Sequence, residues 1–222
     1  MCGRVNNHLT ELHSWEKMFS NWPKIQQGYN VAPSASLTTF ISASNKTLVG
    51  KNMRWGMIPK WASKFESKYN TFNARIESIN EKPTFRSAWK NQQKCLIPIA
   101  GYYEWQTPAN GDKKQPFYIT DRNIGGLVLA GLYENWGEET EKRASCTVIT
   151  KPATVGLRKI HFRMPIMLTV ESAQSWIESS FEDDQEFLVS CELPEVVYWP
   201  VSTDIGNTRN NHPEICKPID IS

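Results

Sequence analysis

Apolar positions recur along the chain at two spacings, one typical of helices and one typical of buried strands. Leu9, Leu12, Trp15 and Phe19 are three or four residues apart, which predicts a helix over residues 10–19 with an N-cap at its first residue. Four further helices are predicted: around residues 75–79, over 84–90, from a cap at Ser172 through 177, and from a cap at Asp183 or Asp184 through 189.

Short apolar runs bounded by Gly, Pro and Asn predict the strands. These runs cover residues 37–42, 48–58, 95–100, 117–120, 127–132, 146–150, 163–170 and 195–201. Asn110-Gly111-Asp112 predicts a hairpin turn. Because strands outnumber helices and do not alternate regularly with them, the pattern predicts one α+β domain over residues 1–222. We expect an antiparallel or mixed sheet, or a barrel-like core, with peripheral helices.

Composition narrows the class of protein without identifying a partner. The 222 residues include 25 Lys and Arg against 23 Asp and Glu, a net charge of +2, so DNA binding would require a local cluster of cations. No apolar run approaches the ~20 residues that span a bilayer. The first residues lack the basic and apolar segments of a signal peptide. We therefore expect a cytoplasmic protein, associated with the nucleoid if the host is bacterial.

The five cysteines do not form a metal or disulfide pattern. They stand at positions 2, 95, 146, 191 and 216, an odd number with no C-x-x-C pair. His212 precedes Cys216 by four residues, but Pro213 interrupts them and no second pair is nearby. No metal or cofactor is predicted, and the nucleotide-binding, zincin and serine-hydrolase motifs are absent from the sequence.

Cys2 is the most informative residue for chemistry. It precedes the small Gly3, a context from which an initiator Met is readily removed, leaving an α-amine and a thiol on adjacent carbons. The ordinary pKa values of these groups are about 7.7–8.0 and about 8.5, so both become reactive near neutral pH with modest help from neighbours. Taken alone, Cys2 is weak evidence for chemistry, and a residue that simply begins a strand is the simpler explanation.

Eight strings distributed along the chain form a larger pattern. They are Met1-Cys2-Gly3-Arg4, Tyr29-Asn30-Val31-Ala32-Pro33, Arg54-Trp55-Gly56-Met57-Ile58-Pro59, Asn73-Ala74-Arg75-Ile76-Glu77, Cys95-Leu96-Ile97-Pro98, Gly101-Tyr102-Tyr103-Glu104-Trp105, Lys114-Gln115-Pro116-Phe117 and Ile160-His161. In this order they resemble the SOS-response-associated peptidase (SRAP) family, the abasic-site processing proteins. The resemblance covers nearly the whole chain and ends near Gly206-Asn207.

The resemblance implies a single domain with the SRAP fold that captures abasic sites in single-stranded DNA. The expected product is a covalent thiazolidine between Cys2, after removal of Met1, and the sugar aldehyde. A self-processing peptidase activity that removes Met1 and a lyase activity through the Schiff base are also implied. We expect a monomer that needs no cofactor.

Four catalytic residues follow from the resemblance. Cys2 supplies the two nucleophiles, and Glu104 would carry protons because its two aromatic neighbours desolvate the carboxyl group. His161 would protonate the sugar oxygen or assist reversal of the crosslink, and Asn73 would hold the amine through its side-chain oxygen. Without the resemblance, a strand carboxylate, a core histidine and a helix cap are adequate explanations of the last three.

Five residues are predicted to bind DNA. Arg4, Arg75 and Arg163 each flank a candidate catalytic residue, so a fold that gathers the catalytic residues would also gather three phosphate-binding cations. Trp55 and Trp105 would provide stacking surfaces for unpaired bases.

One departure from the family pattern and two rival classes of protein bear on this interpretation. Phe162 follows His161 where relatives often have an acidic residue, which we expect to alter how the imidazole is oriented or protonated. Glutamine amidotransferases of the N-terminal-nucleophile type also begin Met-Cys-Gly, but they need an Asn-Gly pair for the oxyanion and a synthetase domain, whereas Asn110-Gly111 lies in the predicted hairpin. A non-catalytic single-strand binder would not use Cys2 at all.

Overall fold

A computed structural model describes residues 2–9, 15, 18–19, 21–24, 27–43, 46–108, 113–123, 125–178 and 183–221. Its strands are β1 (Val5–Asn6), β2 (Ser36–Ser42), β3 (Leu48–Trp55), β4 (Asn73–Arg75), β5 (Lys94–Ile99), β6 (Gly101–Gln106), β7 (Gln115–Asp121), β8 (Leu127–Trp136), β9 (Arg143–Pro152), β10 (Arg163–Pro165), β11 (Met167–Leu168) and β12 (Val196–Pro200). The α-helices are α1 (Arg86–Lys90), α2 (Val155–Arg158), α3 (Val170–Glu178) and α4 (Asp184–Ser190). Short 3-10 helices cover Ile76–Ser78, Glu139–Glu141, Thr203–Gly206 and Pro213–Cys216.

Five strands close into a barrel in the order β9-β3-β2-β5-β8, with β8 pairing back to β9. Only the β3–β9 pairing in this ring is parallel. A second, antiparallel sheet has the order β1-β6-β7-β12. The α+β architecture with a barrel-like core is therefore confirmed.

Strand alternation divides the core into two main clusters. Cys95 and Ile97 of β5 pack with residues of the four-stranded sheet, whereas Leu96, between them, packs with α1, α3 and α4. Leu129 and Val128 of β8 divide in the same way. Successive side chains of a strand point to opposite faces, so the barrel wall separates the helical layer from the cluster that also contains Cys2.

Most predicted strands are confirmed, but several boundaries are wrong. The run over residues 48–58 ends as a strand at Trp55 because Gly56 adopts φ +124, outside the strand region. The predicted helix around residues 75–79 is a 3-10 helix over Ile76–Ser78, preceded by β4, which pairs in parallel with β9. The strand β6 was not predicted, since only Ala100 separates it from β5 although the two belong to different sheets.

Two corrections concern helix starts. The predicted strand over residues 163–170 is two short strands that end at Leu168, and Val170 begins α3. The Oγ1 atom of Thr169, rather than the side chain of Ser172, caps this helix by accepting the Ser172 N–H at 3.2 Å. Of the two caps proposed for α4, Asp183 is confirmed, because its carboxylate accepts the Glu186 N–H at 2.9 Å.

Two predictions fall mainly or wholly outside the described residues. They are the helix over residues 10–19, of which Trp15 and Phe19 are described and buried, and the turn at Asn110-Gly111-Asp112. β6 and β7, on either side of that turn, do pair antiparallel. Within the described ranges, every helix is too short or too polar to cross a bilayer.

A buried ion pair fastens α4 to the barrel, and we expect its loss to destabilise the fold strongly. Lys94 Nζ lies 2.7 Å from Asp184 Oδ1, with both side chains 4% exposed. Asp184→Ala would leave the ammonium group buried without its carboxylate, which typically costs about 3–5 kcal/mol of unfolding free energy.

The matched control for this substitution is Glu195→Ala. Glu195 pairs with Arg122 at a similar distance of 2.8 Å, but the two side chains are 56% and 61% exposed. An exposed pair contributes about 0–1 kcal/mol. Urea unfolding monitored by circular dichroism measures both changes, and equal losses from the two variants would contradict the structural role given to Lys94 and Asp184.

Candidate active site

The segment that contains Cys2 is held as an additional edge of β6. The Tyr103 N–H donates to the Arg4 carbonyl at 2.9 Å, which continues the antiparallel register of Val5 with Tyr102. Cys2 is 1% exposed and belongs to the cluster that contains Val5 and Tyr102. The thiol therefore lies inside the protein, against the face of β6 that carries Tyr102.

Glu104 lies on the same face of β6 as Tyr102, because it follows two residues later, and it is 5% exposed. Burial, and secondarily the negative charge of Glu104, raise the pKa of the Cys2 thiol well above its ordinary range, while a backbone hydrogen bond from Arg4 acts in the opposite direction. After burial, Cys2 and Glu104 also raise the pKa of Tyr102. The thiol and the carboxylate are thus within electrostatic reach, and the thiol is protonated at neutral pH.

Asn73 connects β4 to the same place. Its Nδ2 atom donates to the Cys2 carbonyl oxygen at 2.7 Å, and the residue is 8% exposed. Its Oδ1 atom is buried and has no hydrogen-bond partner among the described residues. The amide therefore positions the backbone of Cys2 and offers one acceptor for an N–H group, in keeping with the predicted role of holding the amine.

A cleft of about 720 Å³ opens beside Glu104. It is lined by Glu104, Trp105, Thr107, Lys114, Arg158, Lys159, Ile160, His161 and Phe162. The structure therefore brings Glu104 and His161 together in the lining of one cleft, although they lie 57 positions apart in the sequence. Three cations and one carboxylate line this cleft, a balance that favours an anionic ligand.

The ring of His161 is fixed by backbone contacts. Its Nδ1 atom lies 3.0 Å from the Arg163 nitrogen and 3.1 Å from the Arg163 carbonyl oxygen. The ring stacks on Phe162, with the ring centroids 4.4 Å apart and an interplanar angle of 27°. Because Nδ1 faces the backbone, proton exchange with a ligand in the cleft would use Nε2.

The three predicted arginines have different surroundings. Arg4 donates to Asn30 Oδ1 at 2.7 Å and to the Ile205 carbonyl at 2.8 Å, with its guanidinium 6.0 Å from the Trp105 ring centroid. Arg75 is exposed at the end of β4, on the same face as Asn73. These two arginines remain candidates for phosphate contacts.

Arg163 is engaged within the protein. It is 8% exposed and forms a bidentate ion pair with Glu77, in which the Nη2–Oε2 distance is 3.0 Å, and a hydrogen bond of 2.7 Å to the Thr150 carbonyl. We correct its assignment to a positioning role, since the guanidinium fixes the strand that follows His161 and has little surface for a phosphate.

The two predicted tryptophans also differ. Trp55 has 0% exposure and donates from Nε1 to the Phe72 carbonyl at 3.0 Å, so in this structure neither face of the indole is open to a base. This burial corrects the expectation that Trp55 stacks on DNA. Trp105 is partly exposed and lines the cleft, as stacking requires.

Sequence reasoning missed three cations of the cleft. Lys114 belongs to a matched string but was given no role; β7 follows it directly and pairs with β6, the strand of Glu104, which brings Lys114 to the cleft. Arg158 and Lys159 immediately precede Ile160-His161, so their adjacency to a matched string was the available signal. Among the described residues, no group of three or more metal-ligating side chains occurs.

Comparisons with known proteins agree on one family. The sequence profile described as "SOS response associated peptidase (SRAP)" matches residues 1–208. The abasic site processing protein YoqW of Bacillus subtilis is 34% identical over 191 residues, 84% of each chain. YoaM of the same organism, also named an abasic site processing protein, is 32% identical and covers 97% of each chain. The rat abasic site processing protein HMCES is 27% identical over all of this chain and 77% of its own.

Solved structures show the same fold. A crystal structure of a protein from Bordetella bronchiseptica superposes with a TM-score of 0.78 at 25% identity, covering 90% of this chain and 100% of the other. One from Bacteroides thetaiotaomicron gives a TM-score of 0.73 at 22% identity, covering 99% and 97% of the two chains.

Proposed function

This chain belongs to the SOS response associated peptidase (SRAP) family, and we propose that it captures abasic sites in single-stranded DNA through a covalent thiazolidine at Cys2. One observation carries the proposal: Cys2, Asn73 and Glu104 share one buried site beside a cationic cleft that His161 also lines. The names of its relatives supply the class of substrate, an abasic site in DNA. Such a role places the protein with the DNA of its host.

The site must first release the α-amine of Cys2. Hydrolysis of the Met1–Cys2 peptide bond consumes one water, gives free methionine and leaves Cys2 with a terminal amine. We propose that this step uses the same groups, with Glu104 as the proton carrier and Asn73 holding the backbone of Cys2. The buried acceptor Asn73 Oδ1 would then bind an N–H of the new amine.

Capture proceeds in two steps that share one carbon. The α-amine adds to the C1′ aldehyde carbon of the ring-opened sugar, and loss of one water gives a Schiff base. Cys2 Sγ then adds to the same carbon, and the thiol proton passes to the imine nitrogen as the five-membered ring closes. New C–N and C–S bonds replace the aldehyde C=O bond, and covalent catalysis divides one difficult step into two.

The electrostatics of the site suit this order of events. The thiol is neutral because burial and Glu104 raise its pKa, so the amine rather than the sulfur attacks first. Glu104 can accept a proton as the amine adds, donate it to the departing hydroxyl group, and then relay the thiol proton to the imine nitrogen during ring closure. Nε2 of His161 would protonate the sugar oxygen during ring opening or assist reversal of the crosslink. Elimination from the Schiff base before ring closure would cleave the strand, the proposed lyase activity.

The direct test is covalent capture of a defined lesion. We expect purified protein, with loss of Met1 verified by intact mass, to form a band of reduced mobility on a denaturing gel with single-stranded DNA that carries one abasic site. Undamaged DNA of the same sequence should give no such band. Absence of the band from correctly processed protein would refute the proposal and favour a passive DNA binder or an amidase.

A further inference from the structure

Phe162 is an aromatic side chain that lies largely outside the core. It is 62% exposed, although a side chain of this size is commonly buried. Its backbone is fixed, because its carbonyl accepts the Ala153 N–H at 3.0 Å. One face of the ring stacks on His161 at a centroid distance of 4.4 Å. The exposed surface is therefore mainly the other face and the outer edge.

The surroundings of this ring fit a nucleic acid better than an apolar partner. Phe162 lines the cleft together with Trp105 and the cations Lys114, Arg158 and Lys159. Aromatic rings interspersed with cations are the usual means of binding unpaired strands, since the rings take bases and the cations follow the phosphates. A protein partner that covered Phe162 would have to desolvate the three cations as well.

We propose that Phe162 is a stacking platform for a nucleobase that neighbours the abasic residue. This inference rests on the proposed function and specifies how the strand is positioned. An abasic residue has no base of its own, so affinity must come from phosphates and from adjacent bases, each of which has lost its stacking partner across the gap. A base on the open face of Phe162 would form a continuous stack with His161 and would place the sugar beside Glu104.

The test uses single-stranded DNA that cannot react. A tetrahydrofuran residue replaces the abasic sugar and has no aldehyde, and 2-aminopurine is placed on its 5′ side in one oligonucleotide and on its 3′ side in another. With the unaltered protein we expect quenching of the 2-aminopurine fluorescence on one of the two sides. Phe162→Ala should remove this quenching and raise Kd about fivefold or more, which is about 1 kcal/mol at 1.4 kcal/mol per tenfold change.

Two further variants make the result specific. Phe162→Trp should retain the quenching, because indole offers an equal or larger stacking face. Val155→Ala should change nothing, since Val155 is 88% exposed in the same segment but does not line the cleft. The ratio of the Kd values of Phe162→Ala and the unaltered protein should persist at higher salt, because stacking releases no counterions.

Unchanged quenching and Kd in Phe162→Ala would overturn the inference, as would quenching that is lost only in Trp105→Ala. Because the probe contains no aldehyde, the assay is independent of capture. Failure of the unaltered protein to crosslink true abasic DNA would refute the proposed function while leaving the stacking result interpretable. If both proposals hold, Phe162→Ala should still crosslink at saturating DNA, with a higher half-saturating concentration.

Discussion

Replacing Cys2 with alanine should abolish the covalent adduct with abasic single-stranded DNA while leaving non-covalent binding within about twofold. The variant keeps the α-amine and the cationic cleft, but it has no thiol to close the ring, so a Schiff base could form and would hydrolyse under denaturing conditions. Adduct is measured on denaturing gels and by intact mass, and binding by anisotropy with tetrahydrofuran DNA. Complete loss of the stable band, rather than a reduced rate, is the expected result.

The matched control for this variant is Cys191→Ala. Cys191 is another free cysteine, but it packs with the helical cluster on the other side of the barrel wall from Cys2. This variant should form adduct at the unaltered rate. A stable band that persists in Cys2→Ala would disprove thiazolidine formation, and peptide mapping of that band would then identify the residue attached to DNA. Unchanged behaviour toward all DNA would favour the passive binder.

The sequence predicted which residues meet at the candidate site better than it predicted the exposure of the residues around them. Cys2, Asn73 and Glu104 were identified because their strings match a family, and the structure brings them together through pairings that are remote in sequence. β1 adds to β6, and β4 adds to β9. Neither pairing is encoded in a local pattern, since β1 has two residues and β4 has three.

The misassigned residues share one cause, which is that residue type does not determine exposure. Trp55 is predicted to lie at the surface because tryptophan can stack on bases, but the alternation of side chains along β3 directs its indole into the core. Arg163 is predicted to bind phosphate, but its guanidinium instead donates hydrogen bonds to Glu77 and to the Thr150 carbonyl, which come from distant parts of the chain. The helix predicted around residues 75–79 differs for another reason. The strand β4 occupies Asn73–Arg75 because pairing with the buried β9 overrides a weak local preference, and only a 3-10 helix follows it.

Replacing Glu104 with glutamine should change two measured rates in opposite directions. Crosslinking should slow by about 10²–10⁴-fold, the usual contribution of a general acid–base residue. Alkylation of Cys2 by iodoacetamide should become faster, because the negative charge of Glu104 raises the pKa of the thiol and its removal lowers that pKa. A lower pKa increases the fraction of thiolate, the reactive form, at any pH below the pKa.

The size of the alkylation effect is limited by burial. Burial is the larger cause of the raised pKa and is unchanged in the variant, so Cys2 should remain less reactive than an exposed cysteine. In both proteins the rate should rise with pH through neutrality, since the thiol pKa lies above that range, and the curve of Glu104→Gln should be displaced toward lower pH. Because the chain has five cysteines, alkylation must be quantified on the peptide that contains Cys2.

Glu134→Gln provides a matched control. Glu134 is also 5% exposed, and one of its oxygens accepts the Asn135 N–H at 2.9 Å, much as Glu104 accepts the Trp105 N–H at 3.2 Å. It lies on β8, outside the residues that line the cleft, so the substitution should leave both rates unaltered. If Glu104→Gln slowed crosslinking and alkylation together, a general loss of structure would explain both, and the role of Glu104 as proton carrier would have to be abandoned. Opposite changes are the result expected of a carboxylate that both transfers protons in the reaction and raises the pKa of the Cys2 thiol.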